Sequence, residues 1–213
     1  MRRFASKLLT PFNDLRLQAP GVRRRTPTID EDAQEGHDRS VQAGAITQFS
    51  KQKTPIKPSA RQRLAGVSSF RIEATAILFT STDSHKSGGK ADVAQATYRR
   101  GNGGDDQVVA VKKVRYHRDM KKKKFENEFV HEVEVMAGLS HENIVRLVGF
   151  VEDFENGTAW IVLSWEPNGN VSEFLANGNC EIPERVSLIQ DTFEGIKYLH
   201  TRQPPICHGD LKS

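Results

Sequence analysis

The chain has 213 residues, enough for one domain with a real core plus a tail. Its hydrophobic share of 37% is low for a wholly compact globule, 27% of it is charged and the net charge is +4, which together point to a folded part and an unfolded part. No apolar run reaches the roughly 18 residues needed to span a bilayer. The two cysteines, Cys180 and Cys207, exclude a disulfide framework and read as free thiols of a reducing, cytoplasmic compartment.

Residues 1–66 read as a disordered basic leader. They hold 13 Lys+Arg against 6 Asp+Glu, whereas residues 67–213 hold 18 against 21, so the basicity belongs to the leader. Prolines recur through APGVRRRTPTIDEDAQEG and KQKTPIKPSARQR with no helical or strand period. MRRFASKLLTPF carries no acid before Asp14, as a mitochondrial presequence would, but a plain basic tail has the same composition and is the simpler reading. Phosphate contacts are open to such an arm. A solvated arm is the plainer expectation, with no nucleic-acid partner.

From Phe70 the character changes. RIEATAILFT is apolar and β-branched, DVAQATY alternates, and QVVAVKKVRY is a stronger strand, with Val108, Ala110 and Lys112 on one face and Val109, Val111 and Lys113 on the other. The Gly- and Asp-rich RRGNGGDDQ between the last two predicts a hairpin loop. KKKKFENEFVHEVEVMAGLS predicts a helix, because Phe125, Phe129, Val133, Met136 and Leu139 recur at spacings of four and three. Its four lysines at Lys121–Lys124 oppose the helix dipole unless they precede the helix proper. Two strands follow, IVRLVGFVEDF and TAWIVLSW, joined by ENG, then a short helix in NVSEFLANG. EIPERVSLIQDTFEGIKYLHTR predicts a long helix with Val186, Ile189, Phe193, Ile196 and Leu199 on one side and Pro183 in its first turn. PPIC is extended. The order predicts an α+β unit, a five-stranded sheet with one inserted helix, followed by a helical part.

Lys112 lies mid-strand among apolar neighbours, where an unpaired ammonium is expensive, so a carboxylate should meet it. Helical phase alone leaves Glu126, Glu128, Glu132 and Glu134 in competition, and a Lys112 that snorkels to solvent fits the pattern as well.

The order of the motifs narrows this. VAVK is similar to the V-A-I-K strand signature, HGDLK shares His, Asp and Leu with H-R-D-L-x-x-x-N, and between them stand EVEVMAGLSHENIVRLVGF and IVLSWEPNGNVSEFL. The chain resembles the eukaryotic protein kinases, and their tyrosine-kinase-like serine/threonine branch in particular, over about residues 77–213. The resemblance implies a small lobe over about 77–163 (a five-stranded antiparallel sheet plus one helix), a hinge at 164–166 and the start of a large lobe over 167–213. It implies that Lys112 holds the α- and β-phosphates of ATP and that Glu132 is its helix partner. Leu163 falls at the gatekeeper position, Ser164, Trp165 and Glu166 at the hinge that hydrogen-bonds adenine, and Val93 and Ala110 at the positions that sandwich the ring. Met136, Leu147 and His208 match a hydrophobic column between the lobes. Asp210 resembles the catalytic aspartate that accepts the substrate hydroxyl proton, and Lys212 the lysine that steadies the γ-phosphate.

Three departures qualify the match. Counting back from Val93, the three positions of the Gly-rich loop hold Lys86, Gly88 and Ala91, so Gly88, with Gly89 beside it, is the glycine in register. HRD is HGD, which removes the arginine that usually receives a phosphorylated activation loop. The chain ends at Ser213, two residues before the catalytic-loop Asn position, without the D-F-G, activation loop or A-P-E. The expectation is therefore a kinase domain cut short and inactive as it stands. Mg²⁺ is expected for the intact domain but its ligands, and so any metal site here, are missing. The apolar face of the long helix would be uncovered. The intact domain would transfer the ATP γ-phosphoryl group to Ser/Thr hydroxyls of a protein substrate. The alternative is a pseudokinase, a nucleotide- or partner-binding module without catalysis.

Overall fold

The structure, a computed structural model, describes residues 16–17, 58–79, 85–87, 91–101, 103–116, 120–177, 181–209 and 211. In chain order its elements are β1 (Arg16–Leu17), α1 (Ala60–Ala65), β2 (Ile77–Leu78), β3 (His85–Ser87), β4 (Ala91–Tyr98), β5 (Gln107–Val114), α2 (Lys122–Ala137), β6 (Leu147–Asp153), β7 (Thr158–Ser164), α3 (Val171–Asn177), α4 (Ile182–Thr201) and β8 (Ile206–Cys207).

The main sheet runs β2-β4-β5-β7-β6, every pair antiparallel. β3 also pairs with β4, through Lys86 opposite Val93, on the edge away from β5. β2 and β3 thus lie end to end along one edge, and the sheet is five strands wide with α2 inserted between β5 and β6, the expected α+β small-lobe plan. The alternation read in QVVAVKKVRY fixes its two faces. Val93, Lys112 and Ile161 stand opposite one another in one row, and Gln95, Ala110 and Leu163 in the next. Directly opposed residues share a face, and this is the face that α2 covers. The other face packs Ala96, Val109, Val111 and Val162 against Val151, Ile72 and Ile77.

The stripe predicted on α2 is its buried face: Phe125, Phe129, Val133 and Met136 are all buried, with Leu139 just beyond the helix end. Phe129 meets the rings of Phe150 and Phe154 edge-on, at 6.3 and 5.6 Å between centroids. Burying each large side chain of this kind contributes about 1.5–3 kcal/mol, which holds the helix to the sheet. The lysine run does not precede the helix: Lys121 is its N-cap and Lys122–Lys124 open its first turn. Carboxylates from outside that turn offset the conflict with the dipole, Glu155 at 3.1 Å from Lys122 and Glu128 at 3.8 Å from Lys124.

Two expectations need correction. The leader does not run unfolded to residue 66. Residues 60–65 form α1, opened by a Ser59/Gln62 capping box, and its Leu64 is fully buried among the side chains of α2. Two buried apolar residues, Ala60 and Leu64, in a polar stretch make no visible period, which is why the composition concealed the helix. Further back, β1 pairs with β8, Leu17 opposite Ile206. RIEATAILFT, read as a strand, is mostly something else: Ala74–Ala76 form a 3-10 turn and Ile77–Leu78 alone pair with β4. The chain before it crosses the sheet edge at Gly149, with the Ile72 N–H donating to the Phe150 carbonyl at 2.8 Å. A Cβ on Gly149 would run into the Ile72 side chain and the Phe70 carbonyl, so the close crossing requires glycine there.

α4 starts on a Glu181/Glu184 capping box with Pro183 in its first turn. Its expected stripe divides. Leu199 is fully buried against the α2 cluster, while Val186, Ile189 and Phe193 are exposed. Tyr198 and Arg202 tie the helix to the turn after α2, through the Ser140 N–H to the Tyr198 hydroxyl (2.9 Å) and the Arg202 guanidinium to the Gly138 carbonyl (3.3 Å).

Candidate nucleotide site

Lys112 is 3% exposed, and its Nζ donates to Glu132 Oε1 at 2.6 Å. Of the four competing glutamates, Glu132 is the one that α2 brings to the lysine. Glu134 lies two residues on, about 200° around the helix axis, and there receives both arms of the Arg63 guanidinium from α1, Nε to Oε1 at 3.0 Å and Nη2 to Oε2. Burial pushes the Glu132 carboxyl above the ordinary carboxylate range, while the nearby Lys112 charge and hydrogen bond pull it down. The result is one cation held in one place on a largely apolar sheet face.

Val93 and Ala110 flank that cation on the same face, Val93 half-buried opposite Lys112 and Ala110 buried opposite Leu163. Leu163, half-buried, rests on the α2 cluster. At the end of β7 the backbone of Ser164 is already engaged: its N–H donates to the Arg146 carbonyl at 3.0 Å. The buried Ser164 hydroxyl accepts the Arg146 N–H at 3.3 Å and donates to Glu166 Oε1 at 3.1 Å, so residues 164–166 are laced to the start of β6. Trp165 and Glu166 are half-buried. Met136, Leu147 and His208 are all buried. Gly209, where the family motif has arginine, has φ +75°, in the left-handed region that favours glycine.

Gly88, Gly89, Asp210 and Lys212 lie outside the described residues. Among the described residues no group of three or more His, Cys, Asp and Glu side chains is placed to hold a metal ion, and no helix is long and apolar enough to cross a membrane. Sequence reasoning did not single out Arg63. The signal that leads to it is the S-x-x-Q capping box at Ser59–Gln62, which marks a helix start at Ala60, three residues upstream of Arg63 and four upstream of Leu64.

A five-stranded antiparallel sheet whose central lysine is paired to a carboxylate on the one inserted helix defines a protein kinase small lobe. Residues 82–213 match the family model for the protein tyrosine and serine/threonine kinases, and the chain belongs to that family. It is 35% identical over 124 residues to wall-associated receptor kinase-like 14 of Arabidopsis thaliana, covering 56% of this chain and 17% of that protein. It is 38% identical over 91 residues to serine/threonine-protein kinase CTR1 of the same plant (41% and 11%), and 37% identical over 87 residues to the probable serine/threonine-protein kinase roco11 of Dictyostelium discoideum (40% and 6%). The resemblance to the tyrosine-kinase-like branch agrees with these relatives. The chain spans less than a fifth of the length of each of the three.

Proposed function

We propose that this chain provides the ATP-binding half of a serine/threonine protein kinase, with residues 77–163 as small lobe, 164–166 as hinge and 167–213 opening the large lobe. The observation that carries the reading is the Lys112–Glu132 pair on the face shared by Val93, Ala110 and Leu163. An ammonium fixed by a carboxylate neutralises phosphate oxygens without having to be ordered when the ligand arrives. In this reading Lys112 takes the α- and β-phosphates, Val93 and Ala110 enclose the adenine, Leu163 limits the depth of its pocket, and backbone groups of Trp165 and Glu166 bind its edge, the Ser164 N–H being held by the Arg146 carbonyl. The loop with Gly88 and Gly89 covers the phosphates. Asp210 accepts the proton of the attacking Ser/Thr hydroxyl and Lys212 meets the charge that develops on the γ-phosphate. Bound Mg²⁺ would add positive charge to the β- and γ-phosphates. The described residues offer no ligand set for it.

One observation favours a second reading, nucleotide binding without transfer. Two of the three Gly-rich-loop positions hold Lys86 and Ala91, and both sit in paired strands, opposite Val93 and Val114. Calorimetric titration with ADP and ATP separates binding from its absence, and Lys112→Met should weaken binding at least tenfold. Phosphate transfer from labelled ATP to a mixed Ser/Thr peptide, in the protein expressed from its complete reading frame, separates the two readings. Transfer that Asp210→Asn abolishes supports the kinase, whereas binding without transfer supports the second. A chain that binds neither nucleotide removes both.

A further inference from the structure

Residues 58–79 lie outside the family match, yet they are built into the fold. Ala60, Leu64, Ile72 and Ile77 are buried, and Arg61 reaches Glu155 at 3.2 Å. Leu64 packs in the same cluster as Phe129, Val133 and Met136 of α2. Arg63 grips Glu134 with both arms, in a half-buried pair of the strong bidentate kind. Beyond α1 the chain is fastened to the sheet, by Ile72 to Phe150 and by Arg71 to Glu152. Helix α2 is therefore held on two nearly opposite sides, by Lys112 of the sheet at Glu132 and by Arg63 of α1 at Glu134.

We propose that α1 is a brace for α2, and that Arg63 is a positioning residue that keeps Glu132 on Lys112. The consequence for nucleotide binding rests on the kinase reading above. The Lys112–Glu132 hydrogen bond is lost once α2 moves outward by about 1 Å. Six residues do not hold a helix by themselves in water, so α1 exists because it is docked. Docked and undocked are thus two discrete states, and any event that draws residues 58–66 away loosens the pair that readies the site.

The test follows the pair directly. The Lys112 side-chain nitrogen and the Glu132 carboxyl carbon are observed by NMR in the native chain, in Arg63→Glu, and in Arg63→Glu combined with Glu134→Arg, with the amide spectrum as the measure of folding. AMP-PNP affinity is measured on the same samples. In Arg63→Glu the hydrogen-bonded Lys112 ammonium signal should disappear, the Glu132 carboxyl, deprived of the Lys112 hydrogen bond that pulls it down, should titrate still further above its ordinary range, and AMP-PNP affinity should fall about tenfold. The charge-swapped double variant should restore all three. Unchanged Lys112 and Glu132 signals in folded Arg63→Glu overturn the proposal. If Arg63→Glu unfolds, Arg63→Gln carries the same comparison. Signals that respond while no variant, nor the native chain, binds AMP-PNP leave the brace standing and refute the kinase reading.

Discussion

Lys112 and Glu132 are twenty residues apart in sequence and 2.6 Å apart in space, one on a strand and one on the helix above it. Taking one partner away strands the other among apolar side chains. Lys112→Met should cost about 3 kcal/mol of stability, the low end for a buried pair because Glu132 keeps some access to solvent. Lys112→Met with Glu132→Leu should cost clearly less than the two single changes added together, since no buried charge is left over. Urea unfolding of the four proteins measures this, and strictly additive losses would show that the two groups do not depend on each other.

The pH dependence of that pair has a definite sign. Burial lifts the Glu132 carboxyl above the value it has in the unfolded chain, despite the Lys112 charge. Between those two values the folded state holds a proton that the unfolded state has lost. The stability from this group is complete below the ordinary glutamate range, about pH 4.3, and is lost as pH rises through the elevated folded value. Glu132→Gln should flatten that segment of the stability–pH curve, measured by urea midpoints across the acid range. A wild-type curve whose decline survives in Glu132→Gln would assign it to another group.

What the sequence revealed and what it hid divide along physical lines. The mid-strand position of Lys112, the α2 stripe from Phe125 to Met136 and the division of β5 into two faces all follow from strict periods, and periods survive in a single sequence. The choice of Glu132 over Glu134 did not follow from phase. It depends on which of two roughly opposite helix sides faces the sheet and which faces α1, a tertiary fact. α1 itself escaped because its burial depends on Leu64 and Ala60 alone, and two apolar residues among polar ones look like linker. RIEATAILFT has strand composition, but its first half is occupied in crossing Gly149 before pairing begins at Ile77.

That crossing gives a sharp substitution test. Gly149→Ala places a methyl group against the Ile72 side chain and the Phe70 carbonyl, one of them backbone, so the 70–72 segment must move. The expected cost is about 1–3 kcal/mol, typical of overpacking. Gly101→Ala is the control, because a Cβ there meets nothing within 4 Å. Parallel denaturant curves should separate the two variants, and equal midpoints would mean that the segment yields freely.

The β6–β7 turn offers the opposite pH signature. The Asp153 carboxylate accepts the Asn156 side-chain amide at 2.6 Å and the Asn156 backbone N–H at 3.1 Å, and these bonds hold its carboxyl below the usual aspartate range. Here the folded value is the lower one, so the contribution is present above the unfolded value, about 3.9, and is lost as pH falls through the folded value. Asn156→Ala removes the side-chain bond, the largest of the causes, and keeps the backbone one. The Asp153 carboxyl should then titrate closer to the ordinary aspartate value, and the turn should lose stability above that range but change little in strong acid. Carbon-detected NMR titration of Asp153 in both proteins reads the shift itself. An unmoved Asp153 titration in Asn156→Ala would mean that the backbone N–H alone sets it, and Asn156→Pro, which lacks that donor, would then have to move it.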